Sequence, residues 1–155
     1  MASFVYNQGA TRILNGNIDM LTDTIKCMLI GTLGGGYTEN RDHDFVDSIT
    51  AATTDELTVS SGYVAGFGGS GRKTLALKTV TESDANDRAE FDAENITWTA
   101  LATGDTIDAA ALIKEVANDA ASPLIAHLDL TDTPTNGGDI TLVVDASGFF
   151  VLSTV

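Results

Sequence analysis

Between Glu82 and Trp98 the sequence E-S-D-A-N-D-R-A-E-F-D-A-E-N-I-T-W packs charge and turn formers into one short loop, then returns to an apolar/polar alternation ending on the single tryptophan. A period of two puts successive side chains on opposite faces of a strand, and Asp, Asn and Ser let a chain reverse in solvent. The segment predicts a strand that leaves a sheet, turns and re-enters it. An acidic rim on a β core points to a surface that binds.

The same pattern recurs along the chain. Residues 24–30, Thr-Ile-Lys-Cys-Met-Leu-Ile, are β-branched and nearly continuously apolar, as suits a central strand buried on both faces, and a triple glycine at Gly34, Gly35 and Gly36 follows. Residues 57–60 and 74–81 read as strands around a glycine-rich loop, with Leu75, Leu77 and Thr79 on one face of the second. An alternation from Ala89 and Phe91 runs on through Ile96 and Trp98 to Ala100. Residues 109–116, 124–130, 139–144 and 149–154 give four more candidates, although 109–112 also fits a helical turn. In 124–130, Leu124, Ala126, Leu128 and Leu130 share one side, leaving Ile125, His127 and Asp129 on the other, with His127 facing solvent or an interface. The first helical signal, and nearly the last, is 8–15, where Ala10, Ile13 and Leu14 form a short apolar stripe. Residues 37–56 show little periodicity and read as a long surface excursion of the kind that carries function or moves.

Strands recurring every 8 to 12 residues or so, with turn chemistry between them, indicate an antiparallel β-sandwich or barrel-like fold. The expectation is therefore an all-β chain forming one domain over 1–155. Its N-terminal arm and short helix occupy 1–20, and its β core occupies 21–155.

Eight basic against 22 acidic residues give a net charge of −14, which repels nucleic-acid phosphate and anionic lipid. No nucleic-acid or membrane partner is expected. The start M-A-S-F-V-Y-N has neither a basic n-region nor an apolar h-region, so no signal peptide is expected and synthesis is cytoplasmic. The lone Cys27, beside Ile25 and Leu29, reads as a small buried apolar side chain in a fold without disulfides.

Catalytic and ligand signatures fail on context. Gly66-Phe67-Gly68-Gly69-Ser70-Gly71 satisfies G-x-G-x-x-G, but phosphate sites of that kind need a helix N-terminus after the glycines, and here Thr74 opens a strand. Arg72 also intervenes before the lysine that a P-loop places directly after its glycine. Asp84, Asn86, Asp87 and Glu90 offer hard oxygen ligands without the EF-hand spacing, so a solvated acidic turn is the better reading. Asp42-His43-Asp44 cannot converge on one ion from extended backbone, and with only two histidines no zinc site or nucleophile–base pair is indicated. No catalytic, cofactor-binding or metal-binding residue is expected. Phe4, Val5 and Tyr6 are apolar residues ahead of any β-core element, placed either to seal the domain's own core or to dock on a neighbour.

Across nearly its whole length the chain resembles small virion proteins of tailed bacteriophages, including head decoration or cement proteins. The resemblance is carried by Tyr6-Asn-Gln-Gly9 with Asn15-Gly-Asn-Ile-Asp19, Thr22-Asp-Thr-Ile-Lys26 and Arg41-Asp-His-Asp-Phe45. It continues in Asn86-Asp-Arg-Ala-Glu-Phe-Asp92 with Thr97-Trp98, and in Ser122-Pro-Leu-Ile-Ala126 with Gly137-Gly-Asp139. It implies a non-enzymatic subunit made in the host bacterium, bound to the major capsid protein on the capsid exterior; self-association into a homo-oligomer is expected instead from Phe4 and Tyr6 near the terminus, read as exposed. The expected contact residues are Phe4, Val5, Tyr6, Tyr37, Arg41, Phe45 and Phe67. The competing expectations are a tail or head–tail connector component, a surface module binding carbohydrate or calcium, and an acidic glycosidase.

Overall fold

Three consecutive alanines, Ala109, Ala110 and Ala111, favour helix by propensity, yet they sit in a run of five buried strand residues, Ala109 to Ile113. The computed structural model, which describes residues 2–50 and 55–153, shows why. Ala110 and Ala111 pair with Leu29 and Met28 of one neighbouring strand and with Leu128 and His127 of the other, and both are wholly buried there. Packing overrides propensity, and the helical alternative for 109–112 does not form.

In chain order the elements are β1 (Phe4–Val5), α1 (Asn7–Leu14), β2 (Ile25–Gly31), α2 (Asp47–Thr50), β3 (Lys73–Thr74), β4 (Thr79–Ser83), β5 (Arg88–Asp92), β6 (Ile96–Trp98), β7 (Thr106–Lys114), β8 (Leu124–Pro134), β9 (Ile140–Leu142) and β10 (Phe150–Ser153). Every pairing is antiparallel. One sheet runs β1-β8-β7-β2-β3, a second β10-β5-β4, and a third pairs β6 with β9. The fold is all-β and sandwich-like, as the recurrence of short strands predicts.

The five-stranded sheet buries both faces. Cys27, Leu29, Ala110, Leu112, Ala126 and Leu128 pack against Phe91, Ile96 and Trp98 from the two smaller sheets, which makes the sandwich core. The opposite face carries Met28, Ile30, Ala109, Ala111, Ile113 and Leu124, and no sheet of the described residues covers it. Its cover is Phe4, Tyr6, Tyr37, Val46 and Ile49. The stretch expected as a surface excursion thus supplies the lid of a second core, because without it the apolar back of β2 and β7 would face water. Residues 51–54 of that stretch, and Thr154 at the end of the last expected strand, lie outside the described residues.

Several expectations are corrected. The strand 74–81 is two strands, because Leu77 adopts a left-handed backbone (φ 48°) and is 73% exposed. The break lets β3 stay with the large sheet while β4 joins the small one, so Leu75 is buried and Leu77 is not. Residues 57–60 form no strand: Glu56 bridges Ile30, and Leu57 N donates to Leu29 O. Leu124 does not share a face with Ala126. The register between β7 and β8 slips there, with Leu112 opposite Ala126 and Ile113 opposite Leu124. Ile125 is the extra residue of this bulge, so Leu124 is carried to the lid face while Ile125 joins the sandwich core.

The expected stripe on the helix holds only in part: Ala10 and Ile13 are half-buried and Ile13 packs on the sandwich core, but Leu14 is 78% exposed and the buried residue of α1 is Gly9. A Cβ at Gly9 would lie 2.7 Å from Ile125 O and 2.8 Å from Leu124 O. The helix rides on the β8 backbone at a distance only glycine permits. The arm is part of the main sheet: Phe4 pairs with His127, and Val5 with Ala126.

Candidate functional site

The expected contact residues fall into three burial classes. Phe4, Tyr6 and Tyr37 are buried, Val5 and Phe45 are half-buried, and Arg41 and Phe67 are exposed. All but Phe67 lie around the N-terminal arm. The Phe4 ring stacks on His127 with centroids 5.0 Å apart, and the Arg41 guanidinium stands 4.5 Å from the Phe4 centroid on the outside. Tyr6 and Tyr37 share a hydrogen bond of 3.1 Å, and the Tyr37 hydroxyl also meets His43 Nδ1 at 2.8 Å. Phe45 bridges Pro123 and lies under the Arg12 guanidinium. Of the two roles open to the arm, this fold uses it to seal the domain's own core.

His127, expected at the surface, is 1% exposed. Its Nε2 stands 3.0 Å from Glu39 Oε1, close but not turned for an aligned hydrogen bond. Burial lowers the His127 pKa, outweighing the opposite pull of the Glu39 and Asp129 carboxylates. Burial likewise pushes the Tyr6 hydroxyl and the Cys27 thiol far up.

Phe67 belongs to a different construction. From Leu57 to Gly71 the chain contains no Asp, Glu, Lys or Arg, a long gap in a protein of net charge −14. Val64 is 60% exposed and Phe67 45% exposed at the tip of this loop. The base is tied down repeatedly. Gly69 N donates to Gly66 O, Gly71 N to Val64 O, and Trp98 Nε1 to Gly71 O at 2.6 Å. Gly66, at φ 85°, makes the inner turn that a side chain would strain.

Beneath the loop lies a buried ion triad. Arg72, whose side chain is wholly inaccessible, donates Nε and Nη2 to Glu56 and Nη1 and Nη2 to Asp119, at 2.6 to 3.0 Å. Glu56 also accepts from the Tyr63 hydroxyl and from Gly66 N, both at 3.0 Å, while Leu29 N donates to the same hydroxyl. Burial opposes the charge on Arg72, but its bonds to Glu56 and Asp119 outweigh that and hold its pKa above the ordinary value. Asp119, despite its own burial, is held below the usual carboxylate range by Arg72. Burial and the Glu56 charge push the Tyr63 hydroxyl well up. The sequence marks Arg72 only as the residue that spoils a P-loop. The signal for its role was the uncharged run that it closes, with Glu56 at the other end.

The other motifs resolve simply. The strand β3 follows the glycines, so no helix N-terminus is presented to a phosphate, and Arg72 points inward. Residues 84–87 form an exposed turn between β4 and β5, with Arg88 paired to Glu90 at 2.7 Å. Asp42 accepts a bond from Asn7 at 2.7 Å. Among the described residues no three His, Cys, Asp or Glu side chains are arranged to hold a metal ion, and no helix is long and apolar enough to cross a membrane.

Set against known proteins, the chain matches no family model, no curated protein and no solved structure.

Proposed function

We propose that this chain is a non-enzymatic structural protein of a bacteriophage particle, a decoration or cement subunit on the capsid exterior that binds the assembled major capsid protein. The observation that carries the reading is the loop bearing Val64 and Phe67, an uncharged apolar tip whose base is hydrogen-bonded over a buried ion triad on an otherwise acidic β scaffold. Exposed apolar residues on well-anchored supports bind surfaces, whereas His127 and Glu56 are buried within the fold. A net charge of −14 suits the outside of a shell filled with DNA better than its inside. Modest contacts, repeated over a lattice of identical sites, hold a shell firmly through effective concentration.

The test is to add purified protein to shells of the encoding phage that lack it, and to follow shell disruption by heat. The reading expects saturable binding in a simple ratio to the capsid protein and a higher disruption temperature. Binding confined to tails, or to no part of the particle, sinks it.

A further inference from the structure

We infer that the loop tip of Val64 and Phe67 is a preorganised plug for an uncharged, apolar depression on the outer face of the assembled capsid protein, with Arg72 as the residue that positions it. The inference rests on the proposed function and adds the chemistry of the contact.

Buried ion pairs are weak evidence for stability, since apolar replacements of similar volume are often as stable or more so; fixing register is one of their best-attested uses. Here the triad joins three stretches far apart in sequence. Glu56 precedes the loop, Arg72 leaves it, and Asp119 lies in the turn between β7 and β8. Glu56 also reaches into the loop itself through Tyr63 and Gly66. The loop's shape is thereby fixed before any partner arrives, so docking does not have to order it.

The charge pattern selects the occupant. A basic partner surface would be drawn to the carboxylates of residues 82–94, where Glu82, Asp84, Asp87, Glu90, Asp92 and Glu94 outnumber Arg88. The loop offers such a surface nothing. It complements a surface that is itself uncharged and concave, into which an aromatic ring and a branched side chain can be desolvated without stranding a charge.

The experiment measures equilibrium binding of the full-length chain to decoration-free shells at low and high salt, for wild type, Phe67→Ser, Val64→Ser and Arg72→Lys. Wild-type affinity is expected to change little with salt, because no ion pair forms at the plug. Phe67→Ser is expected to weaken binding about thirty-fold or more, as for a central anchor, with an unchanged melting temperature. Arg72→Lys, which cannot reproduce the forked contacts, is expected to speed amide exchange at residues 64–67 while β2 and β7 stay protected, and to weaken binding. Wild type that ignores the shells overturns the function and the plug together. Wild type that binds while Phe67→Ser binds equally well overturns the plug alone. Affinity that collapses with salt assigns the contact to the acidic turn and overturns the plug as well.

Discussion

Replacing Arg72 by Met tests whether the triad is as dry and as mutually dependent as its geometry indicates. The side chain is wholly inaccessible and makes four hydrogen bonds. Met occupies much of the same space, so the main loss is electrostatic. Glu56, with 5% of its side chain exposed, would keep Tyr63 and Gly66 as donors but lose both contacts to the guanidinium. Asp119, 20% exposed, would keep Thr50 and take up water. The cost therefore concentrates on Glu56. Removing one partner of a buried pair costs about 3–5 kcal/mol, and the partial solvation of Asp119 places this case near the lower end, at about 3–4 kcal/mol. At about 2–4 °C per kcal/mol for a chain of this size, the melting temperature falls by roughly 6–16 °C. Neutralising the stranded acid in Glu56→Gln/Arg72→Met should recover about 1 kcal/mol or more, since no uncompensated charge stays buried. Urea unfolding with matched m-values measures both quantities. A loss below about 1 kcal/mol for the single variant, or a double variant no better than the single, would refute the reasoning.

Four further outcomes are expected. Gly9→Ala forces a methyl group to within 3 Å of the β8 backbone and should destabilise by about 1–3 kcal/mol in urea melts, whereas Ala10→Gly should cost only the usual helix penalty of about 1 kcal/mol. Tyr63→Phe leaves Glu56 and Leu29 N without a shared hydroxyl and should cost about 1–3 kcal/mol by the same measurement. His127 has a lowered pKa in the fold, so below about pH 6.5 the unfolded chain takes up a proton that the folded chain refuses. Stability should fall as the pH drops below about 6.5, and the part due to this ring should vanish in His127→Gln, as read from paired urea melts at each pH. Cys27, fully buried with its thiol pushed up, should react with a thiol reagent only at the rate of unfolding.

How much of this was legible in the sequence depends on how local the cause was. The hairpin of β4 and β5 was readable, because the acidic turn and the alternation on either side of it are local signals. So was β2, whose unbroken apolar run has few other uses. The left-handed Leu77 was not, since a leucine between alternating residues carries no turn signature; the break arises because the chain must change sheets. The Leu124 bulge was hidden for a similar reason, as register is decided by the partner strand and the sequence alternates smoothly through it. His127 was misplaced because polarity suggests water, while the aromatic cover over it comes from residues more than eighty positions away. At the site, Phe67 was visible as an aromatic among glycines, but the anchoring of its loop was not. That depends on Glu56 meeting Arg72 and Asp119, a convergence that only the folded chain brings about.

The proposed adhesion to a capsid shell is tested most directly on purified particles of a phage that carries the gene for this chain. Imaged at side-chain detail with the capsid protein counted alongside, they should show the chain on the outer surface in fixed proportion to capsid subunits, with Val64 and Phe67 covered. Particles without the chain, or with a few copies confined to the tail, would contradict the account.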